Sequence, residues 1–306
     1  SMKPGHYLQN DFQLKRWYDP SWHHPEVSIP NKMVEISEIH DALYKAVEME
    51  LMGDVPFGVI ISGGVDSSII AAIIMDIHRK GKLNIEKRNM TKIHSFCMGI
   101  EGSPDLEYAK IVADKIGTQH HSFTFTLEEG INAISDAIYY TETFNTSIIR
   151  GSTPFFLMAK KVKELGIKII YSGDGADEIF AGYKYFKPCP SPEELQKEMV
   201  RKMNLLYIYD LVITNKSCMA SSIEIRPPFL NKSFVEFAMN INPKMKMFDY
   251  CKENSIEKYI LRKAFESYLL EEITWRTKEQ ISDGVGNAWV KSVLTNAEEN
   301  ITNEQF

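Results

Sequence analysis

Residues 62–68 (SGGVDSS) combine glycine, serine and aspartate in an order that can hold a phosphate group. The string follows the apolar run 57–61 and precedes a helical pattern, which is where phosphate-binding loops lie. Its glycines let backbone N–H groups approach an anion, and its serines add hydroxyl donors. Asp66 would repel a bare phosphate, so we expect Mg²⁺ between this carboxylate and the phosphates. No Gly-Lys-Ser/Thr string occurs, so the loop is not of the Walker A type.

A second loop, residues 172–178 (SGDGADE), follows the apolar run 167–171. Its three carboxylates, Asp174, Asp177 and Glu178, repel one another unless a cation or a cationic substrate group lies among them. Taken alone, the string also fits a solvated acidic turn. A dinucleotide fingerprint is excluded, because Glu178 stands where that motif needs its last glycine. Together, the two loops favour a nucleotide site with a divalent cation.

The composition restricts the class of protein and its partners. The chain has 306 residues, 44% hydrophobic and 25% charged, which is typical of a soluble globular protein. With a net charge of −6 and no block of like charges, neither nucleic acid nor a membrane surface is expected as a partner. No apolar run approaches the roughly 18 residues of a membrane helix. Four widely spaced cysteines and no signal peptide indicate reduced thiols and a cytoplasmic location.

The elements around the two loops predict an α/β fold. Helical patterns separate four short β-like runs, at residues 57–61, 93–98, 121–126 and 167–171. Strands and helices alternating at this spacing indicate a parallel sheet with helices on both faces. Punctuation by serine, proline and glycine predicts one helix from residue 103 to Gly117 and another from residue 152 to Gly166.

The character of the sequence changes after Phe186. Residues 192–270 show no convincing strand, and their helical patterns are 195–214, 234–239 and 256–269. We therefore predict three parts: an aromatic lead-in segment at 1–34, an α/β nucleotide domain at 35–186 and a mostly helical part at 187–306.

Several strings, in this order, resemble those of the glutamine-hydrolysing asparagine synthetases, a family of the ATP pyrophosphatase (PP-loop) superfamily. Besides the first loop they are 96–99 with 103–105, 149–154, 172–178 with 182–183, 226–230, and 275–280 with 282–286. The resemblance covers that family's synthetase domain, from about Gly5 to the end of the chain. It implies a parallel five-stranded sheet like that of the adenine nucleotide alpha hydrolases. It also implies that an N-terminal glutaminase domain and a C-terminal tail are absent from this chain.

The resemblance implies ATP-dependent amidation of L-aspartate to L-asparagine. In that family the aspartate is first converted to β-aspartyl-AMP with release of pyrophosphate, and ammonia then displaces AMP. ATP is a substrate, Mg²⁺ a cofactor, and the glutaminase domain supplies ammonia, so this fragment is expected to be at most ammonia-dependent. A homodimer is left open. The alternatives are another PP-loop ligase, such as a β-lactam synthetase, and a catalytically impaired nucleotide-binding module.

The resemblance also assigns roles to individual residues. Those expected to bind ATP and pyrophosphate are Ile61, Ser62, Gly63, Gly64, Asp66, Ser67, Ser68, Met98, Ser172 and Gly173. Those expected to act in catalysis are Asp174, Lys278 and Arg150. Those expected to bind aspartate are Glu178, Glu224, Arg226, Lys216 and Ser147. The Mg²⁺ ion is expected between Asp66 and Asp177.

Two residues depart from the family pattern. Asp174 stands where most members have glutamate, at the position assigned to deprotonation of ammonia. A displacement of about 1 Å can cost about 100-fold in rate, and we expect Asp174 to retain the role. Asn231 stands where the family usually has aspartate.

Overall fold

The structure is a computed structural model that describes residues 2–250, 255–278 and 285–300. Its strands, in chain order, are β1 (His6–Leu8), β2 (Leu14–Arg16), β3 (Phe57–Ile60), β4 (His94–Gly99), β5 (Gln119–Thr124), β6 (Ile169–Tyr171) and β7 (Glu224–Arg226). Its α-helices are α1 (Ile36–Glu50), α2 (Val65–Arg79), α3 (Pro104–Ile116), α4 (Leu127–Thr141), α5 (Thr146–Glu164), α6 (Ala176–Ile179), α7 (Pro192–Leu205), α8 (Ser217–Met219), α9 (Lys232–Met239), α10 (Tyr259–Ala264), α11 (Glu271–Thr274) and α12 (Asn287–Asn300). No helix in this part of the chain is long and apolar enough to span a membrane.

Five strands form a parallel sheet in the order β5-β4-β3-β6-β7. Alternate residues of β3 enter two separate apolar cores: Val59 packs in the larger one, and Ile60 packs in the smaller one with Met158 of α5. Helices therefore cover both faces of the sheet, because neighbouring residues of a strand point to opposite sides. The predicted fold class is confirmed.

The fifth strand lies where sequence analysis predicted none. β7 belongs to the stretch 192–270, and it pairs with β6 at the edge of the sheet. Its three residues, Glu-Ile-Arg, are too few to show a strand period. The larger core also joins α1 to α9 and α10. The boundary predicted at 186/187 thus runs through a shared sheet and core, and the division into domains stays a prediction.

Helix α3 begins at Pro104 and ends before Gly117, as predicted. The predicted start of α5 at residue 152 is wrong: α5 begins at Thr146, where the Asn145 side chain caps it, and Pro154 lies inside the helix. An interior proline leaves the carbonyl four residues earlier without its N–H partner. Here that carbonyl belongs to Arg150, and it accepts a hydrogen bond of 2.9 Å from the indole N–H of Trp289.

Two further helical patterns were predicted too long. The pattern 195–214 breaks when α7 ends at Leu205, and a π-helical turn follows at Val212–Lys216. Within 256–269 only Tyr259–Ala264 is one continuous α-helix. Lys258, directly before it, has a left-handed backbone (φ 58°) through which a right-handed helix cannot continue.

The lead-in segment forms a small hairpin of β1 and β2. Its side chains divide between two environments: Trp22 is buried in the larger core, whereas Trp17 is 63% and Phe12 86% exposed. The segment is thus anchored on the domain by Trp22 and by the Tyr18 hydroxyl, which donates to Glu236 Oε1 at 3.0 Å, and it presents aromatic surface to solvent elsewhere.

Candidate active site

Both loops predicted from the sequence lie at the carboxyl edge of the sheet. The first loop follows β3 and leads into α2, and the second follows the adjacent strand β6 and leads into α6. A Cβ on Gly173 would lie 2.7 Å from the backbone nitrogen of Ser67, so the loops touch. A Cβ on Gly63, which has a φ of 71°, would lie 2.4 Å from Cβ of Tyr108. Glycine at these two positions permits the close approach of the first loop to its neighbours.

The two loops open onto a cavity of about 400 Å³. The predicted site residues that line it are Ile61, Ser62, Asp66, Ser67, Met98, Ser147, Arg150, Ser172, Gly173, Asp174, Asp177, Glu178 and Lys278. Gly64 lines a second cavity of about 70 Å³ beside it, into which Lys258 and Arg276 also project. The edge of the sheet thus brings most of the predicted residues together.

Several members of the first loop make contacts within the protein, and the Ser62 and Ser67 hydroxyl oxygens lie 3.1 Å apart. The Ser68 hydroxyl donates to the Gly64 carbonyl at 2.7 Å, so its proton is already used. The Gly63 carbonyl accepts from the Arg276 guanidinium at 3.2 Å. That guanidinium also lies over the ring of Tyr108 and contacts Asp105. Arg276 thus connects the first loop to helix α3.

Four charged side chains, Asp66, Asp177, Lys258 and Lys278, form a lysine–carboxylate cluster at the cavity floor. Lys258 donates to Asp66 Oδ2 at 2.6 Å and to Asp177 Oδ1 at 2.8 Å, and its side chain is 1% exposed. Lys278 donates to the other oxygen of Asp177. Within the described residues, lysines from distant segments thus offset the negative charge of Asp177 in the second loop.

Electrostatics keep Asp177 and Lys278 ionised. Burial alone would raise the pKa of Asp177, but the charges of Lys258 and Lys278 outweigh it and hold the pKa below its usual value. Burial alone would lower the pKa of Lys278, but Asp177 and Asp66 raise it above its usual value. Lys278 therefore carries its charge at neutral pH, as an anion-binding lysine must. Sequence reasoning missed Lys258, because a lysine in an apparent helical pattern is normally solvated.

The backbone of Lys278 is held by a buried ion pair. Arg262 pairs with Glu257 and donates to the Thr274 carbonyl, while the N–H of Lys278 donates to Glu257 Oε1 at 2.9 Å. Glu257 thus helps to fix both lysines of the cluster, because it accepts from the N–H of Lys278 and directly precedes Lys258. Residues 279–284, which complete the family string, lie outside the described residues.

The predicted Mg²⁺ site can be tested against the donor atoms present. Asp66 Oδ1 is buried and has no hydrogen-bond partner among the described residues, so this oxygen is free to bind a cation. Asp177 accepts from a lysine on each oxygen but retains further lone pairs. The described residues hold no group of three side chains that would bind a metal alone. This set fits Mg²⁺, which commonly takes one or two carboxylates and completes its shell with water and phosphate oxygens.

Asp174 lies half-buried in the cavity wall. Its Oδ2 accepts two hydroxyl protons, from Ser172 and from Thr214, each at 2.8 Å. Burial raises the pKa of Asp174, and the two hydroxyls act against that rise. Thr214, in the π-helical turn, was not found by sequence analysis, because a single threonine in a helical pattern carries no signal.

Glu178 is buried behind Asp177. Burial first, and then the charges of Asp177 and Asp210, raise the pKa of Glu178 to about 7. The Tyr183 hydroxyl donates to Glu178 Oε1. Such a carboxyl is only partly ionised at neutral pH, and a bound ammonium group would favour its charged form.

Arg150 and Ser147 reach the cavity from the first turns of α5. The Nε atom of Arg150 is buried and makes no hydrogen bond within the described residues. This donor is therefore available to an anionic ligand.

Three predicted substrate-binding residues do not line the cavity. Arg226 turns toward the end of α1, where it donates to the Glu50 carbonyl at 2.8 Å, and it also pairs with Glu224 at 2.7 Å. Lys216 pairs with Glu142, the residue directly after α4. These partners satisfy Glu224, Arg226 and Lys216 away from the site, so the geometry gives no support to their predicted role.

The structure explains Asn231, the second departure from the family pattern. Its side-chain oxygen caps α9 by accepting from the Ser233 N–H, and its Nδ2 donates to Glu50 Oε1 at 2.9 Å. An aspartate here could cap the helix but would place a carboxylate against Glu50. The asparagine amide caps α9 with its oxygen and donates to Glu50 with its nitrogen.

These features define an α/β protein with a cavity, lined by acidic and basic side chains, at the carboxyl edge of a parallel sheet. The family model for asparagine synthase matches residues 38–192 and 187–306. This chain belongs to the asparagine synthase family, which confirms the resemblance drawn from its motifs.

Individual relatives agree with the family match. The chain is 47% identical to a glutamine-hydrolyzing asparagine synthetase from the root of Pisum sativum, over 99% of this chain and 52% of that protein. It is 46% identical to glutamine-hydrolyzing asparagine synthetase 1 of Lotus japonicus, with the same two shares. The chain thus spans about half the length of these curated relatives. A solved NMN synthetase from Francisella tularensis covers 81% of this chain and 98% of its own at a TM-score of 0.33 and 11% identity, too weak a likeness to carry an argument.

Proposed function

We propose that this chain catalyses ATP-dependent amidation of L-aspartate to L-asparagine. One observation carries the proposal: the two loops, with Lys278 and Asp174, all open onto one cavity. Membership of the asparagine synthase family supports the same reaction. In the complete protein we propose that glutamine is the ammonia donor, as the names of the relatives indicate, through a domain outside this chain.

In the first step an oxygen of the aspartate β-carboxylate attacks the α-phosphorus of ATP. The bond from that phosphorus to the pyrophosphate oxygen breaks, which leaves β-aspartyl-AMP. Backbone N–H groups of the first loop and the hydroxyls of Ser62 and Ser67 hold the leaving pyrophosphate. Lys278 and Arg150 supply positive charge where negative charge develops. When bound by Asp66 and Asp177, Mg²⁺ supplies further neutralisation of the phosphates.

In the second step ammonia attacks the carbonyl carbon of β-aspartyl-AMP. A C–N bond forms, the C–O bond to AMP breaks with its electron pair leaving on AMP, and the nitrogen gives up a proton. Asp174 accepts this proton. Glu178 faces the ammonium group of the substrate, and Ser147 remains a candidate for its carboxylate. Ile61 and Met98 lie where two strands end and would contact the adenine.

Pyrophosphate release tests the proposal directly. The chain is assayed with ATP and Mg²⁺, with and without aspartate, and asparagine is measured after ammonium is added. We expect release only with aspartate, and asparagine only with ammonium. Lys278→Met should abolish pyrophosphate release and asparagine formation. Lys263→Met removes an exposed lysine of α10 that pairs with Glu266, and it should leave both activities intact.

Other outcomes would favour other functions. Release that ignores aspartate but needs an acylated amino acid would favour a β-lactam synthetase. ATP binding without any release would indicate a nucleotide-binding module that has lost its chemistry. Either result would contradict the proposal.

A further inference from the structure

We infer that Thr214 is a positioning residue that holds the Asp174 carboxylate in the orientation from which it takes a proton. The inference rests on the proposed function for the identity of Asp174 as the base. Both hydroxyl bonds to Asp174 end on Oδ2, whereas Oδ1 makes no hydrogen bond within the described residues. One oxygen is therefore tied to the protein, and the other is left to the cavity.

The two donors differ in what they can fix. Ser172 lies two residues before Asp174 in the same loop, so its hydroxyl moves with that loop. Thr214 is 40 positions away and 1% exposed, on the π-helical turn Val212–Lys216. Turns of this kind are rare and are frequently found at functional sites. Thr214 is thus the contact that fixes the carboxylate relative to another element of the fold.

The bonding of Thr214 also differs from that of other buried helical threonines. Thr141, Thr153 and Thr274 each donate to the backbone carbonyl four residues earlier, as threonines in helices commonly do. Thr214 instead donates across the cavity wall to Asp174. In the π-helical turn its hydroxyl serves the carboxylate rather than the backbone.

The contact matters because the terminal torsion of an aspartate is broad, so an untied carboxylate can rotate. It also affects the charge of the base. Burial raises the pKa of Asp174, the charges of Asp210 and Asp177 add to this, and the two hydroxyls lower it. Burial, and then the charge of Asp174, raise the pKa of the Cys218 thiol. Loss of the Thr214 hydroxyl should therefore leave a more mobile and more readily protonated base.

The test compares Thr214→Val, Thr214→Ser and Thr141→Val in the whole chain. Thr141 is the matched control, because it is 2% exposed and its hydroxyl donates to the Ala137 carbonyl at 2.6 Å. In ammonia-dependent asparagine formation we expect Thr214→Val to lower kcat at least about tenfold, with the KM for ATP little changed. The acid limb of its pH profile should move up by about one unit, because a hydrogen bond to a charged group is lost. Thr214→Ser should have the kcat and the pH profile of the wild type, and Thr141→Val should change neither.

A second measurement does not depend on turnover. The ¹³C carboxyl signal of Asp174, assigned by its loss in Asp174→Asn, is titrated by NMR in each folded variant. Its pKa should rise by about one unit in Thr214→Val and stay in place in Thr141→Val. An unchanged pKa, or an unchanged kcat and pH profile, in a folded Thr214→Val would overturn the inference. If the wild-type chain forms no asparagine, the proposed function fails, while the titration still decides whether Thr214 controls Asp174.

Discussion

Replacing Lys258 by methionine should cost stability and activity together. The change keeps the length and apolar stem of the side chain but removes the charge that lies between Asp66 and Asp177. Removing one partner of a buried ion pair typically costs about 3–5 kcal/mol, because the other charge stays buried without compensation. Asp177 still contacts Lys278, so the lower end, about 3 kcal/mol in the free energy of unfolding at pH 7, is expected.

The sign of the pH dependence follows from the lysines. They hold the pKa of Asp177 below its unfolded value, so the ion pair stabilises the fold above that value and loses its effect as the pH falls. In Lys258→Met the folded pKa of Asp177 rises. The deficit relative to wild type should be complete at pH 7 and shrink below about pH 4.

Urea unfolding followed by circular dichroism measures the stability, and aspartate-dependent pyrophosphate release measures the activity. Lys246→Met is the matched control: Lys246 is equally buried but donates only to the Ala238 carbonyl, at 2.6 Å. We expect Lys258→Met to be destabilised and inactive, and Lys246→Met to be no less stable than wild type and to retain pyrophosphate release. Equal losses of stability in the two variants would refute the argument, because the ionic contacts would then add nothing to the removal of a buried side chain.

Two further predictions concern groups outside the cavity. Burial lowers the pKa of Lys246 to about 7, so wild-type stability should rise between about pH 7 and pH 10, where the unfolded chain binds the proton and the folded chain does not. Lys246→Met should abolish this rise, up to about 1.4 kcal/mol per pH unit in urea titrations, and a rise that persists would place its origin elsewhere. Trp289→Phe keeps a buried ring but removes the donor to the Arg150 carbonyl, so the unfolding free energy should fall by about 1–3 kcal/mol. Unaltered stability in thermal and urea unfolding would show that this carbonyl needs no partner.

The sequence was sufficient for the parts of the fold that depend on local residue types. Both loops lie between an apolar strand and a helix, so their position could be predicted from neighbouring residues. Strand β7 could not, because three residues at a sheet edge owe their conformation to the partner strand. The start of α5 was misjudged for a related reason. Pro154 is typical of a first turn, and the indole of Trp289 that allows it inside the helix lies 139 positions from Arg150, whose carbonyl it contacts.

The residues of the candidate site also divide into those predicted from local residue types and those that act through distant contacts. Asp66 and Asp174 were predicted because acidic residues in glycine-rich loops need compensation, but Lys258 and Thr214 contribute through contacts that only the fold creates. Arg226 is the opposite case, a residue chosen by type whose predicted role the geometry does not support. Its residue type fits a carboxylate ligand, yet residue type does not give the direction of a side chain, and this one turns toward the end of α1.

The lysine–carboxylate cluster has a consequence for how the chain is made. Asp66 and Lys258 are 192 positions apart, and Asp177 and Lys278 are 101 apart. On the ribosome, both loops and all five strands of the sheet emerge before either lysine, because synthesis runs from the N-terminus. The carboxylates of the two loops must therefore remain hydrated until Lys258 and Lys278 have been synthesised. These two lysines then act as internal counterions. The two loops reach their final charge balance only when residue 278 has been added.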